Sequence, residues 1–112
     1  MLALYIEWHG ILAKHIPKTL RYSLGIRIDD LFSQILEAVA LAQFSGGEER
    51  GAHIAHAIGK NDALKFMLYA LYELKGIDGA KLISLSEKAA EIGRMLYGWK
   101  KGTEANKKPV PR

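Results

Sequence analysis

Proline stands only at positions 17, 109 and 111 of the 112-residue chain, so no proline breaks a helix between Lys18 and Lys108. Through that stretch the apolar residues recur every three and four positions. That is the period of an amphipathic helix, whereas a half-buried strand repeats every two residues. No segment combines strict alternation with β-branched enrichment. The chain is predicted to be all-α.

Four helices follow from the spacing. The first covers 2–15, with Tyr5, Trp8 and Leu12 on one face. Pro17 ends it, because the residue before a proline is pushed out of the helical region. The second covers 20–44, starting between Lys18 and Tyr22. Its seam is Leu24, Ile28, Leu31, Ile35, Ala38 and Ala42, with Phe32, Leu36 and Val39 as a second row. Ser45-Gly46-Gly47 stops it. The third covers 48–75, with Glu48 and Glu49 at its positive end and a seam of Ile54, Ala57, Ile58, Leu64, Leu68 and Leu71. Asn61 occupies the missing seam position, and Gly76 ends the helix. The fourth covers 79–101, capped by Asp78, with Leu82, Leu85, Ala89, Ile92, Leu96 and Trp99 spaced 3-4-3-4-3. Short connections make neighbours antiparallel, which predicts an up-down-up-down antiparallel four-helix bundle over 1–101. Residues 102–112 read as a basic, disordered tail.

The chain contains no cysteine, which excludes a disulfide framework, a thiolate zinc site and a cysteine nucleophile, and suits a reducing cytoplasm. No targeting segment and no uncharged apolar stretch of membrane-spanning length is present, so no membrane role is expected.

Catalytic constellations are equally sparse. Glu49, His53 and His56 have helical ligand spacing, but no matching Glu-x-x-His pairs occur on the other helices. Asp29 and Asp30 are adjacent and diverge on a helix; near the start of the second helix they suit its dipole. Gly59-Lys60-Asn61 lacks the phosphate-loop spacing, and no Gly-x-Ser-x-Gly occurs. A non-enzyme without metal or cofactor is the expectation.

Charge is more informative. The net charge is +4, and the excess is C-terminal: residues 81–101 carry +3 and 102–112 carry +2. An anionic partner at that end would explain it, as would a solvated helix end. The basic set on helical segments is Lys18, Arg21, Arg27, Lys65, Arg94, Lys100 and Lys101. Phe66, Tyr69 and Tyr72, with Lys65 beside them, have the composition of a base-stacking strip or of a core face. The fourth helix also carries a second row of Ser86, Ala90, Gly93 and Tyr97. Gly93 and Gly98 each cost about 1 kcal/mol in a helix interior. Close approach by a neighbouring helix or by another subunit would account for them.

Glu91-Ile92-Gly93-Arg94-Met95-Leu96-Tyr97-Gly98-Trp99 resembles the signature of the accessory variability determinant family of diversity-generating retroelements. Ile16-Pro17-Lys18, followed by Arg21-Tyr22, Leu24-Gly25 and Arg27-Ile28, resembles that family's proline-basic corner. The bundle proteins encoded in 23S ribosomal RNA intervening sequences are related. The resemblance implies a non-catalytic bundle that assembles as a ring of five. It also implies binding of RNA and DNA and of a reverse transcriptase during mutagenic copying. Lys18, Arg21 and Arg94 become the leading contacts for nucleic acid or polymerase, with Arg27, Lys65, Lys100 and Lys101 completing the set. Ser86, Ala90, Gly93, Tyr97, Gly98 and Trp99 become candidates for the subunit interface. Two departures stand out: an acidic Gly46-Gly47-Glu48-Glu49-Arg50 loop where the family is often basic, and tyrosines at 69 and 72 after Lys65. The alternatives are a structural bundle that binds only protein, a bundle of the ribosomal-RNA intervening-sequence type, and a metal-binding bundle resting on Glu49, His53 and His56 alone.

Overall fold

The computed structural model describes residues 2–14 and 16–107, with side chains through Thr103. All the described secondary structure is helical: α1 (Leu2–Lys14), α2 (Lys18–Leu20), a π-helical segment (Arg21–Gly25), α3 (Ile26–Gln43), α4 (Gly47–Glu73) and α5 (Gly79–Lys107). Right-handed helical dihedrals at Leu20, Arg21, Gly25 and Ile26 join α2, the π segment and α3 into one rod. Four rods therefore pack together, with α4 against both α3 and α5.

The core follows the seams. Ile28, Ile35, Ala38 and Ala42 of α3, Ile54, Ala57, Ile58, Leu64, Leu68 and Leu71 of α4, and Leu85, Ala89, Ile92 and Leu96 of α5 are buried. Phe32 joins them, because its ring lies 5.9 Å from Trp8 and 5.3 Å from Tyr5 of α1. On α1 the buried residues are Leu4, Trp8 and Ile11, with Tyr5 and Leu12 partly buried at the edge. Polar contacts tie α1 down on both sides. Glu7 accepts hydrogen bonds from Ser84 and Lys88 of α5, while His9 Nε2 lies 3.0 Å from Asp29 Oδ1. Asp29 therefore faces α1 within a continuous rod, rather than a helix N-terminus.

The first connection falls where the sequence places it, and the structure departs from the sequence reading in two later places. The α3–α4 turn is made at Gly47, whose φ of +57° lies in the left-handed region where glycine carries no steric cost. Arg50 Nε then donates to the carbonyl of Ala42 at 2.9 Å, satisfying a terminal acceptor of α3. At the end of α4 the left-handed residue is Lys75 (φ 63°), not Gly76. Lys75 N donates to Tyr72 O and Gly76 N to Leu71 O, the paired bonds of a Schellman ending. Glycine is needed at 76 for space, since a Cβ there would meet Leu71 Cδ1 at 2.4 Å. Finally, α5 runs on to Lys107, so 102–107 continue the helix instead of forming a loose tail. No proline intervenes before 109, and one glycine costs a packed helix too little to end it. Residues 108–112 lie outside the described residues.

Candidate nucleic-acid interface

Contacts between α4 and α5 set an antiparallel register. A Cβ on Gly79 would lie 3.9 Å from the Tyr72 ring, and Asn61 Nδ2 donates to Ala89 O at 3.0 Å. Asn61 is fully buried, with its Oδ1 unpartnered. A Cβ on Gly93 would lie 3.3 Å from Asn61 Nδ2. The missing seam position on α4 is thus a polar contact under α5, and Gly93 supplies the clearance it needs.

Outside that contact the two helices leave a groove of about 500 Å³, lined by Asp62 and Lys65 of α4 and by Ala90, Gly93, Arg94, Tyr97, Gly98 and Lys101 of α5. The lining has a stripe logic. Residues 90, 94, 97 and 101 recur at 4-3-4 and share one face of α5; residues 62, 65, 69 and 72 recur at 3-4-3 on α4. Lys65 pairs with Asp62 at 3.3 Å, whereas Arg94 and Lys101 have no ion-pair partner among the residues whose side chains are described. Three cations against one carboxylate leave the groove positive. The Tyr97 side chain is 49% exposed beside them.

Tyr69 and Tyr72 continue the α4 stripe, with ring centroids 6.4 Å apart, and Phe66 is 71% exposed next to it. Glu73 accepts from the Tyr69 hydroxyl, and this bond with its negative charge raises the phenol above its ordinary value. Beyond Tyr72 lies a cleft of about 620 Å³ at the α4–α5 turn. There Glu73 and Asp78 face Lys75 and Lys81, so it has no charge preference.

The predicted basic set is split. Lys65, Arg94 and Lys101 line the one groove, and Lys100 is half-buried on α5. Lys18 and Arg27 are exposed on the rod containing α2 and α3. Arg21 serves the corner, where its Nη2 donates to Ile16 O at 3.2 Å and its Nε is buried. That corner sits by the α4–α5 turn, since a Cβ on Gly76 would lie 3.1 Å from Leu20 Cδ1.

The residues assigned to a subunit interface are also redistributed. Ala90, Gly93, Tyr97 and Gly98 line the same groove as the cations. Gly93 is buried within the chain, so Asn61 accounts for its lack of a side chain. Trp99 is half-buried and packs on the core, and Ser86 is half-buried. The groove carboxylate Asp62 went unremarked in the sequence, although its i,i+3 spacing to Lys65 was available there. Glu49, His53 and His56 form no cluster that could hold a metal among the described residues. No helix among them is long and apolar enough to cross a membrane.

Fold and groove define an all-α four-helix protein with a cationic, aromatic-flanked cleft. Protein-family models, curated proteins and solved structures were each compared with the chain, and none matches it.

Proposed function

We propose that this protein is a non-catalytic nucleic-acid-binding bundle, with the α4–α5 groove as its contact surface. One observation carries the reading: Lys65, Arg94 and Lys101 line a single groove, with the exposed ring of Tyr97 between Arg94 and Lys101 on α5 and one carboxylate, Asp62, in the lining. Guanidinium and ammonium groups so placed attract phosphates with little regard to sequence, and the affinity falls as salt rises.

The finer form of the proposal is an accessory role in a diversity-generating retroelement, with a reverse transcriptase as partner and assembly as a ring of five. The sequence resemblance at 91–99 and at the Pro17 corner supports that form. It predicts a light-scattering mass of five times the 12.5 kDa chain and co-elution with the polymerase. A monomer that ignores the polymerase would remove it and leave the groove proposal standing.

The groove itself is tested by titrating labelled oligonucleotides at several salt concentrations. Three phosphate contacts predict a log–log slope of about −2 for a single strand. Arg94→Glu with Lys101→Glu should weaken binding at least tenfold while the helical circular dichroism stays unchanged. Equal affinity in the double variant would contradict the assignment. A shallow salt dependence would favour the bundle that binds only protein.

A further inference from the structure

The order of side chains along the same groove bears on which strand state it fits, an inference that rests on the nucleic-acid reading and sharpens it. Arg94, Tyr97 and Lys101 follow one another at three and four residues along α5, so an aromatic ring stands between two cations on one stripe. Axial rises of about 4.5 and 6 Å separate them. An extended strand has the matching order, with each base flanked by a phosphate on either side.

The surroundings of Tyr97 favour a flat ligand. Ala90 and Gly93 line the groove with almost no side chain, and, apart from its chain neighbours and its own helical backbone, nothing lies within 4 Å of the place where a Cβ on Gly98 would stand. A duplex cannot use this arrangement. Its bases are closed in the stack, so it could offer only phosphates to the rim, and the ring would contribute nothing.

We propose that the α4–α5 groove is a single-strand site, in which one unstacked base lies on Tyr97 and its flanking phosphates pair with Arg94 and Lys101. Lys65 lines the α4 side of the same groove.

The test compares a labelled oligothymidine with a duplex of equal length, at low salt, using the full chain. The wild type should prefer the single strand. Tyr97→Ala should weaken single-strand binding about tenfold, in line with the loss of one base–aromatic stack. Tyr97→Phe should retain it, because the π-face remains. Tyr97→Leu keeps apolar bulk without that face and should behave as Tyr97→Ala, which separates stacking from a folding defect. Equal affinity for the duplex, or single-strand affinity unchanged in both Tyr97→Ala and Tyr97→Leu, would overturn the inference. If Arg94→Gln still weakens binding in that case, the groove stands as a phosphate site and the stacking alone is wrong. If neither nucleic acid binds the wild type at low salt, the nucleic-acid reading falls and takes the inference with it.

Discussion

Gly93 and Gly98 share one helix and meet opposite surroundings. Gly93 faces the Asn61 amide with 3.3 Å of clearance for a Cβ, whereas Gly98 faces open space. A larger side chain at 93 must push α4 away and disturb the bond from Asn61 Nδ2 to Ala89 O. Gly93→Leu is therefore expected to lower stability by roughly 1–3 kcal/mol through overpacking within the single chain. Gly98→Ala touches nothing and removes backbone entropy from the unfolded chain, so it should raise stability by about 0.5–1 kcal/mol. Urea midpoints of the two variants check both signs; a stable Gly93→Leu would show that the α4–α5 approach is looser than described. Neither environment was legible in the sequence, where both glycines break the same helical pattern. The distinction depends on Asn61, which lies 32 positions upstream of Gly93 and meets it only across the helix pair.

At the scale of elements, α1 is the rod whose attachment depends most on polar contacts. Glu7 accepts from Lys88 and Ser84 on α5, and the Lys88 bond is the largest cause holding its carboxyl below the ordinary value of 4.5. The unfolded chain then takes up the Glu7 proton first as pH falls. The stabilisation is complete above about pH 4.5 and is lost as pH drops through the depressed folded value. Wild type should melt higher than Glu7→Gln at neutral pH, and acidification should erase the difference. A gap in melting temperature that fails to narrow as pH falls below 4.5 would contradict this origin. The helix seams themselves were legible because burial repeats with the helical period: Ile54, Leu64, Leu68 and Leu71 are buried, as are Leu85, Ala89, Ile92 and Leu96. Phe32 was assigned to a secondary row because its burial depends on Trp8 stacking from another helix. The π segment at Arg21–Gly25 was invisible for a similar reason. A Cβ on Gly25 would meet Leu12 Cδ1 at 2.9 Å, and such a close crossing leaves no local periodic mark.

Over the whole molecule, the rods build an elongated body of about 60 × 20 × 19 Å, and the α4–α5 face runs along much of it. That face gathers two sets of residues which the sequence kept apart. The basic residues Lys65, Arg94 and Lys101 and the small-residue row Ala90, Gly93, Tyr97 and Gly98 read as separate surfaces, one for phosphate and one for another subunit. Folding puts them into a single groove, because 90, 94, 97 and 101 share a stripe while α4 contributes Asp62 and Lys65. The predicted corner at Lys18 and Arg21 belongs instead with the α4–α5 turn, and Arg21 is occupied there by the Ile16 carbonyl. Charge reversal at Lys18 should accordingly weaken nucleic-acid binding less than charge reversal at Arg94. The most direct measurement of the central claim is photo-crosslinking of a thiouridine-containing single strand to the intact protein, with the attachment sites mapped by mass spectrometry. Crosslinks are expected on α5 at or beside Tyr97, with others on the Lys65–Tyr69 flank of α4. Crosslinks confined to the segment from Lys18 to Arg27, with the groove unmarked, would contradict it.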